Sequence, residues 1–149
     1  MQKANKERSP DRRSLISALW IVVMVNMVFA DILSFITPGV MPEILSGAPD
    51  GMQLNQSLIL VFAVLTEIPV AMIFVSRILG WRAGRIANTV AAVVTTVWIV
   101  GGGSALPHYI FMTGMEIVCM AGICLLVWRK PADEGSSTMT AAAVEEIQP

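Results

Sequence analysis

Three carboxyl groups in this sequence stand inside long apolar runs, where a charged side chain is costly. Asp31 follows "VMVNMVFA", Glu67 interrupts "AVLTEIPVAM", and Glu116 lies within "YIFMTGMEIVC". Ionisable residues at such positions usually face the interior of a helical membrane protein or a water-filled cavity, because hydrocarbon solvates charge poorly. We therefore expect the three acids to converge on one site. The polar residues of the same runs that would join them are Asn26, Thr66 and Thr113.

The chemistry of such a site follows from what surrounds the acids. No Lys or Arg lies at the same depth, so salt bridges cannot neutralise all three carboxyls. We expect at least one of them to be protonated and hydrogen-bonded while the site is empty. Clustered carboxyl and hydroxyl oxygens suit a proton relay, a hard metal ion or an organic amine, and the residues do not choose among these. The leading interpretation is a membrane protein that binds or transports a proton or a small cationic solute through an outward-facing carboxyl pocket.

Pro69 is the second unusual feature of the run that holds Glu67. A proline inside a helix removes one backbone donor and disturbs the preceding turn, so we predict a kink beside Glu67. An alternative function stays open at this point. The acids would then be neutral, hydrogen-bonded groups that hold helices together, or that recognise a second copy or a partner membrane protein. In that case the protein is a structural or accessory membrane subunit.

The elements that position these residues are predicted transmembrane helices. Of the 149 residues, 55% are hydrophobic and 14% are charged. Four apolar runs reach the length of about 20 residues that a helix needs to cross a bilayer. The fold class is therefore all-α, a four-transmembrane-helix bundle in the plasma or inner membrane, with a short helical turn in "VMPEILSG". The membrane domain spans 14–130, and its helices are predicted at about 15–36, 57–79, 83–102 and 108–128.

The basic residues predict the orientation of this bundle. All ten Lys and Arg residues precede the first run, flank the second connection or follow the last run, and the other two connections contain none. By the positive-inside rule both termini are cytoplasmic. The tail 1–13 is basic, and the tail 131–149 is small, polar and acidic and is expected to be disordered. The residues that we expect to determine topology are Arg12, Arg13, Arg77, Arg82, Arg85, Arg129 and Lys130.

A cleavable signal peptide is the competing explanation of the N-terminal segment. A basic stretch and an apolar stretch end in "VFA", a small-residue pattern of the kind that precedes a cleavage site. The apolar run nevertheless continues through "ILSFI", which gives 15–36 the full length of a membrane span. We favour an uncleaved first helix.

Four segments together resemble a family of small four-helix membrane proteins whose function is not characterised. They are "FADILSFITPG", "LTEIPVAMIFVSRIL", "RAGRIAN" and "YIFMTGMEIVC", and the resemblance spans roughly residues 18–128. It implies the fold and the topology but transfers no activity. The architecture alone is similar to that of the DoxX-like four-helix proteins, without a shared motif. The residues that carry the family resemblance are Asp31, Glu67, Pro69, Ser76, Arg77 and Glu116.

Other patterns that could carry chemistry are weaker. Cys119 and Cys124 are five positions apart on one predicted helix, which is not a redox or zinc spacing, so we expect them to be packing residues. His108 is the single histidine and stands at a predicted helix end. No nucleophile or metal-ligand cluster accompanies the acids, which favours a non-enzymatic protein without deciding the question. We predict no cofactor and no nucleic-acid partner; the lipid bilayer is the expected environment.

Overall fold

The computed structural model describes residues 11–47 and 55–129, and these residues form five helices and no strand. The four long helices are apolar enough to cross a membrane, which confirms the all-α prediction and the number of candidate spans. A short helix lies between the first two of them, as predicted for "VMPEILSG". In chain order the helices are α1 (Arg12–Phe35), α2 (Val40–Leu45), α3 (Gln56–Ile78), α4 (Trp81–Gly101) and α5 (Pro107–Trp128).

Local sequence signals account for the ends of these helices. The side chain of Asn55 accepts a hydrogen bond from the Leu58 backbone N–H at 2.8 Å and so caps the start of α3. Pro107 occupies the first turn of α5, where its missing N–H costs nothing. Gly39, in the turn between α1 and α2, has a φ of 94°, a left-handed conformation that a side chain would disfavour.

Each long helix packs along its length against two of the other long helices. Helix α1 packs against α3 and α5, and α4 packs against the same two helices, so the chain order around the ring is α1, α3, α4, α5. The interior is filled by side chains from all four, and Trp20, Val23 and Ile123 are fully buried. Large apolar side chains also cover the outer surface, which is the pattern of a protein surrounded by lipid.

Near one end of the bundle, hydrogen bonds from polar side chains connect α1 to α3 and to α4. The indole N–H of Trp20 on α1 donates to the side-chain oxygen of Asn88 on α4 at 2.8 Å, across the centre of the ring. The hydroxyl of Ser17 donates to the carbonyl of Ile73 on α3 at 2.9 Å. Asn88 belongs to the row of small and polar residues on α4 that also includes Ala91 and Thr95, and all three are buried. This row therefore packs within the chain, where close backbone approach is needed.

The arginines of the described residues gather at that same end, here called the basic end. The guanidinium of Arg12 donates to the carbonyl of Arg129 at 2.8 Å, and that of Arg13 donates to the carbonyl of Arg77 at 3.2 Å. These bonds satisfy carbonyls at the C-terminal ends of α5 and α3, where helices lack internal partners. Arg82 and Arg85 lie in the first turns of α4. Lys130, the predicted acidic tail and most of the predicted basic tail lie outside the described residues.

Candidate functional site

Glu116 is the most deeply buried acid among the described residues, with 2% of its surface exposed. It lies on α5 and faces α1, where the side-chain amide of Asn26 donates to Glu116 Oε1 at 3.0 Å. The same amide donates to the carbonyl of Met112 at 2.8 Å. Met112 and Glu116 are one helical turn apart, so their oxygens are stacked along α5 and both hydrogens of one amide can reach them. Asn26 thus holds the Glu116 side chain in a fixed position.

A large cavity opens beside this pair. It has a volume of about 770 Å³ and is bounded by residues from α1, α3, α4 and α5, with both Glu116 and Asp31 in its wall. Asp31 is exposed, and its carboxyl makes no hydrogen bond to another described residue. Thr66 also lines the cavity, but its hydroxyl donates within its own helix, to the carbonyls of Phe62 and Ala63.

Most of the cavity wall is apolar and aromatic. The rings of Phe62 and Trp98 lie against each other, with centroids 4.9 Å apart and planes tilted by 50°. Tyr109 adds a phenol whose hydroxyl donates to the carbonyl of Ile99 at 3.1 Å. Phe35 completes the set of aromatic residues in the wall. No Lys or Arg of the described part of the chain lines this cavity.

Glu67 lies elsewhere. It is exposed on the outer face of α3, in line with the exposed side chains of Leu60, Val64 and Phe74, and it does not line the cavity. The expected convergence of three acids therefore has to be corrected to two. The reason is the helical repeat, since each residue is rotated by about 100° from the one before it. Thr66 takes the inward position, which turns Glu67 away from the cavity.

The other predicted site residues are distributed around this centre. Asn26 contacts Glu116 directly but does not line the cavity wall. Thr113 is half-buried on α5 and does not line the cavity either. Pro69 is buried within α3, and the helix continues through it to Ile78. His108 lies at the start of α5, where its Nε2 is 3.3 Å from the hydroxyl of Ser34.

The aromatic half of the site was not predicted from the sequence. In the sequence Tyr109, Phe62 and Trp98 stand only as residues of the predicted spans. One available signal was the spacing of Tyr109, which lies two helical turns before Glu116 and hence on the same face of α5. Phe62 and Trp98 carried no comparable signal, because nothing in the sequence pairs α3 with α4 at that depth.

The side chains available as ligands limit which kind of molecule or ion the site can bind. Among the described residues no group of three or more His, Cys, Asp or Glu side chains is arranged so that it could hold a metal ion. Cys119 is buried and Cys124 half-buried, and both are free thiols. The arrangement instead offers two carboxyls, one of them held by an amide, at the edge of an aromatic cavity.

Comparison with known proteins identifies a family and no activity. The model of a family of unknown function, DUF6326, matches residues 5–134. This match covers most of the chain, so the protein belongs to that family, in agreement with the resemblance to an uncharacterised family of membrane proteins. No curated protein and no solved structure matches the sequence.

Proposed function

We propose that this member of an uncharacterised family is a four-helix-bundle membrane protein that binds, and in its cellular setting transports, a small cationic solute. The bound group is an organic amine or quaternary ammonium with an apolar body. Asp31 and Glu116 provide the negative charge that recognises the cation. The aromatic rings of the cavity contact the rest of the solute.

One observation carries this proposal: two carboxyls and four aromatic residues share a single cavity that no Lys or Arg of the described chain enters. A carboxylate attracts any cation, but aromatic faces add attraction for an ammonium group within about 6 Å of the ring centroid. A metal ion such as Na⁺ or Mg²⁺ would have to give up tightly held water to contact Trp98 or Phe62, and it would need more oxygen ligands than the two acids supply. The combination favours an ammonium over a metal ion.

The size of the cavity supports the same class of solute. Pockets for small organic molecules usually measure about 300–1,000 Å³ and are mostly apolar, with a few polar groups that fix orientation. The volume of about 770 Å³ falls in this range. A proton alone would need no such space, although protonation of Asp31 or Glu116 would compete with the cation for the same carboxyls. Proton and solute therefore become exchangeable occupants of one site.

We further infer the orientation and the location from the arginines of the basic end. Under the positive-inside rule this end faces the cytoplasm of a plasma or inner membrane, with both termini on that side. The cavity lies toward the opposite ends of the helices, since its wall includes Phe35 of α1 and Gly101 of α4. It would then open toward the outer half of the bilayer.

The test is ligand-induced stabilisation of the purified full-length protein. Tetraethylammonium, choline and a hydrophobic tertiary amine are compared with Na⁺ and Mg²⁺ across a range of pH. A solute at about 100 times its Kd should raise the free energy of unfolding by about 2.7 kcal/mol. We expect the amines to stabilise the protein, the inorganic ions to have no specific effect, and the amine effect to weaken as the pH falls.

The variants Asp31→Asn and Glu116→Gln remove the negative charges with little change in shape. We expect the Kd for the amine to rise at least about tenfold in Asp31→Asn, which corresponds to about 1.4 kcal/mol. Glu67→Gln is the matched control, since it removes an acid outside the cavity and should leave the Kd unchanged. Equal stabilisation of wild type and Asp31→Asn, or none by any amine, would contradict the proposal.

A second candidate function rests on Glu67. An exposed carboxyl in the middle of a membrane-length helix has no polar partner in lipid, and such residues usually meet another polar group. The face of α3 that carries it offers small side chains one turn away on either side, at Ala63 and Ala71, both exposed. The protein could therefore be an accessory subunit whose α3 packs against a partner helix or a second copy.

Affinity purification from the native membrane distinguishes the two functions. If Glu67 recognises a partner, Glu67→Gln should lower the recovery of that partner or of a differently tagged second copy, while amine binding stays intact. Asp31→Asn should weaken amine binding and leave the recovery of the partner unchanged. Unchanged recovery with Glu67→Gln would reject the accessory role for this residue.

A further inference from the structure

A second groove lies on the outer surface of α4 and α5 at the basic end. It has a volume of about 470 Å³ and shares no residue with the cavity that holds Asp31 and Glu116, called the carboxyl cavity from here on. We call it the basic groove. The residues that line it are Arg82, Arg85, Ile86, Thr89, Val90 and Trp128.

The two guanidinium groups of the basic groove lack an acidic partner in the described part of the chain. The Arg82 guanidinium is exposed and makes no hydrogen bond, ion pair or ring contact to another described residue. Arg85 makes one ring contact, with its guanidinium carbon 4.1 Å from the centroid of the Trp128 ring. Stacking on a ring uses the face of the guanidinium and leaves its N–H donors available at the edge. Two positive groups with unused donors therefore stand side by side on α4.

A closed set of contacts fixes Arg85 in place. The hydroxyl of Thr89 donates to the carbonyl of Arg85 at 2.8 Å, and its oxygen accepts from the indole N–H of Trp128 at 3.1 Å. Trp128 in turn lies under the Arg85 guanidinium. The ring is thereby held between the two residues of α4. A preorganised cation loses less side-chain freedom when it binds an anion.

The groove changes from charged to apolar along the helix axis. Arg82 and Arg85 lie in the first turns of α4, and Ile86 and Val90 follow on the same side, 68% and 56% exposed. At a rise of 1.5 Å per residue, Arg82 and Val90 are about 12 Å apart along the axis. A phospholipid has the same order over a similar depth, with a charged phosphate at the interface and acyl chains below it.

We propose that the basic groove is a binding site for an anionic phospholipid of the leaflet that meets the basic end. The phosphodiester accepts hydrogen bonds from Arg82 and Arg85, and an acyl chain lies along Ile86 and Val90. Trp128 closes one side of the site at the depth of the headgroup, where tryptophan is favoured. This site rests on the membrane location alone and does not depend on the amine-binding proposal.

The experiment uses full-length protein in a neutral detergent. Thermal unfolding is followed while dioleoyl phosphatidylglycerol, dioleoyl phosphatidylcholine or soluble glycerol 3-phosphate is added. We expect saturable stabilisation by phosphatidylglycerol only. A basic residue near a membrane surface contributes about 1 kcal/mol to binding of anionic lipid, so Arg82→Gln should weaken the apparent affinity about fivefold. The double variant Arg82→Gln/Arg85→Gln should weaken it about 25-fold.

Two further variants separate a built site from general charge attraction. Arg77→Gln removes one positive charge at the same end but outside the groove, and it should leave the affinity for phosphatidylglycerol unchanged. Arg82→Lys restores the charge and should recover most of the affinity. Equal weakening by Arg77→Gln and Arg82→Gln would overturn the site, as would equal stabilisation by phosphatidylcholine. Stabilisation by glycerol 3-phosphate at similar concentrations would assign the groove to soluble phosphates and overturn the lipid assignment.

Discussion

Glu116 and Glu67 are the same type of residue, each within a membrane-length helix, and their surroundings are opposite. Glu116 is 2% exposed and accepts a hydrogen bond from Asn26 at the edge of the carboxyl cavity. Glu67 is exposed on the outer face of α3, and its carboxyl has no hydrogen-bond partner among the described residues. Glu116 therefore belongs to the interior of the protein, and Glu67 faces the lipid or a partner outside it.

The difference shows that depth in the membrane and direction around a helix are separate properties. Both acids interrupt apolar runs at a depth where hydrocarbon is expected. Which of them turns inward depends on which face of its helix packs against the neighbouring helices. On α3 the inward face carries Pro69, Met72 and Ser76, which leaves Glu67 outside. The same residue type can therefore serve a binding site or an external contact.

The largest expected effect comes from removing the donor of the interior site. Asn26→Leu keeps the number and branching of the side-chain heavy atoms, but it deprives Glu116 and the Met112 carbonyl of their shared amide. Hydrogen bonds between helices in membranes are worth up to about 1.7 kcal/mol. We expect the free energy of unfolding in a bilayer or bicelle to fall by about 1–2 kcal/mol. Unchanged stability would mean that Glu116 is as independent of its surroundings as Glu67.

The second largest effect is expected from a double-mutant cycle that combines Asn26→Leu with Glu116→Leu. Glu116→Leu removes the acid, and after this change Asn26→Leu should cost less, because the buried carboxyl that needed a donor is gone. We expect a coupling energy of about 1 kcal/mol, measured as the non-additivity of the unfolding free energies. Additive effects would show that Asn26 acts through Met112 alone. The pair Asn26→Leu and Glu67→Leu serves as the control and should be additive.

Thr95 provides a smaller test of the interior. Its hydroxyl is buried, and it has no hydrogen-bond partner among the described residues. Thr95→Val keeps the shape and removes a polar group that is not satisfied, so we expect a gain in stability of about 1 kcal/mol or less. Thr96→Val is the matched comparison, since the Thr96 hydroxyl donates to the carbonyl of Ala92. A loss of stability in Thr95→Val would indicate that its hydroxyl has a partner, such as a buried water.

The smallest effect is expected at Glu67. Glu67→Gln should change the unfolding free energy of the isolated chain by less than about 0.5 kcal/mol, as is usual for a surface position. A nitroxide label on Glu67→Cys, in a background with Cys119 and Cys124 replaced by Ala, should be accessible to dissolved oxygen from the lipid phase. The same label at position 116 should be protected from dissolved oxygen. A protected label at position 67 would show that a partner or a second copy covers α3.

Much of the fold was predictable because the length of an apolar run and the position of a charge can both be read directly along the sequence. Four uninterrupted apolar runs predict four spans, and the arginines that flank them at one end predict which ends meet; the bonds from Arg12 to Arg129 and from Arg13 to Arg77 agree with that prediction. Asn26 was one of three polar residues expected near the acids, and the sequence did not say which acid its amide would contact; in the structure it donates to Glu116. The orientation across the membrane remains a prediction from the charges.

The inward or outward direction of each side chain was decided by the tertiary structure. In a water-soluble protein the polar face of a helix marks the outside, so the sequence pattern reveals the packing face. In a membrane both lipid and protein interior are apolar, and large apolar residues occupy the buried and the exposed faces of both α3 and α5. The sequence therefore determined that Glu67 and Glu116 lie within apolar segments long enough to cross a membrane. Only helix packing decided that Glu116 meets Asn26 and the aromatic cavity while Glu67 faces outward.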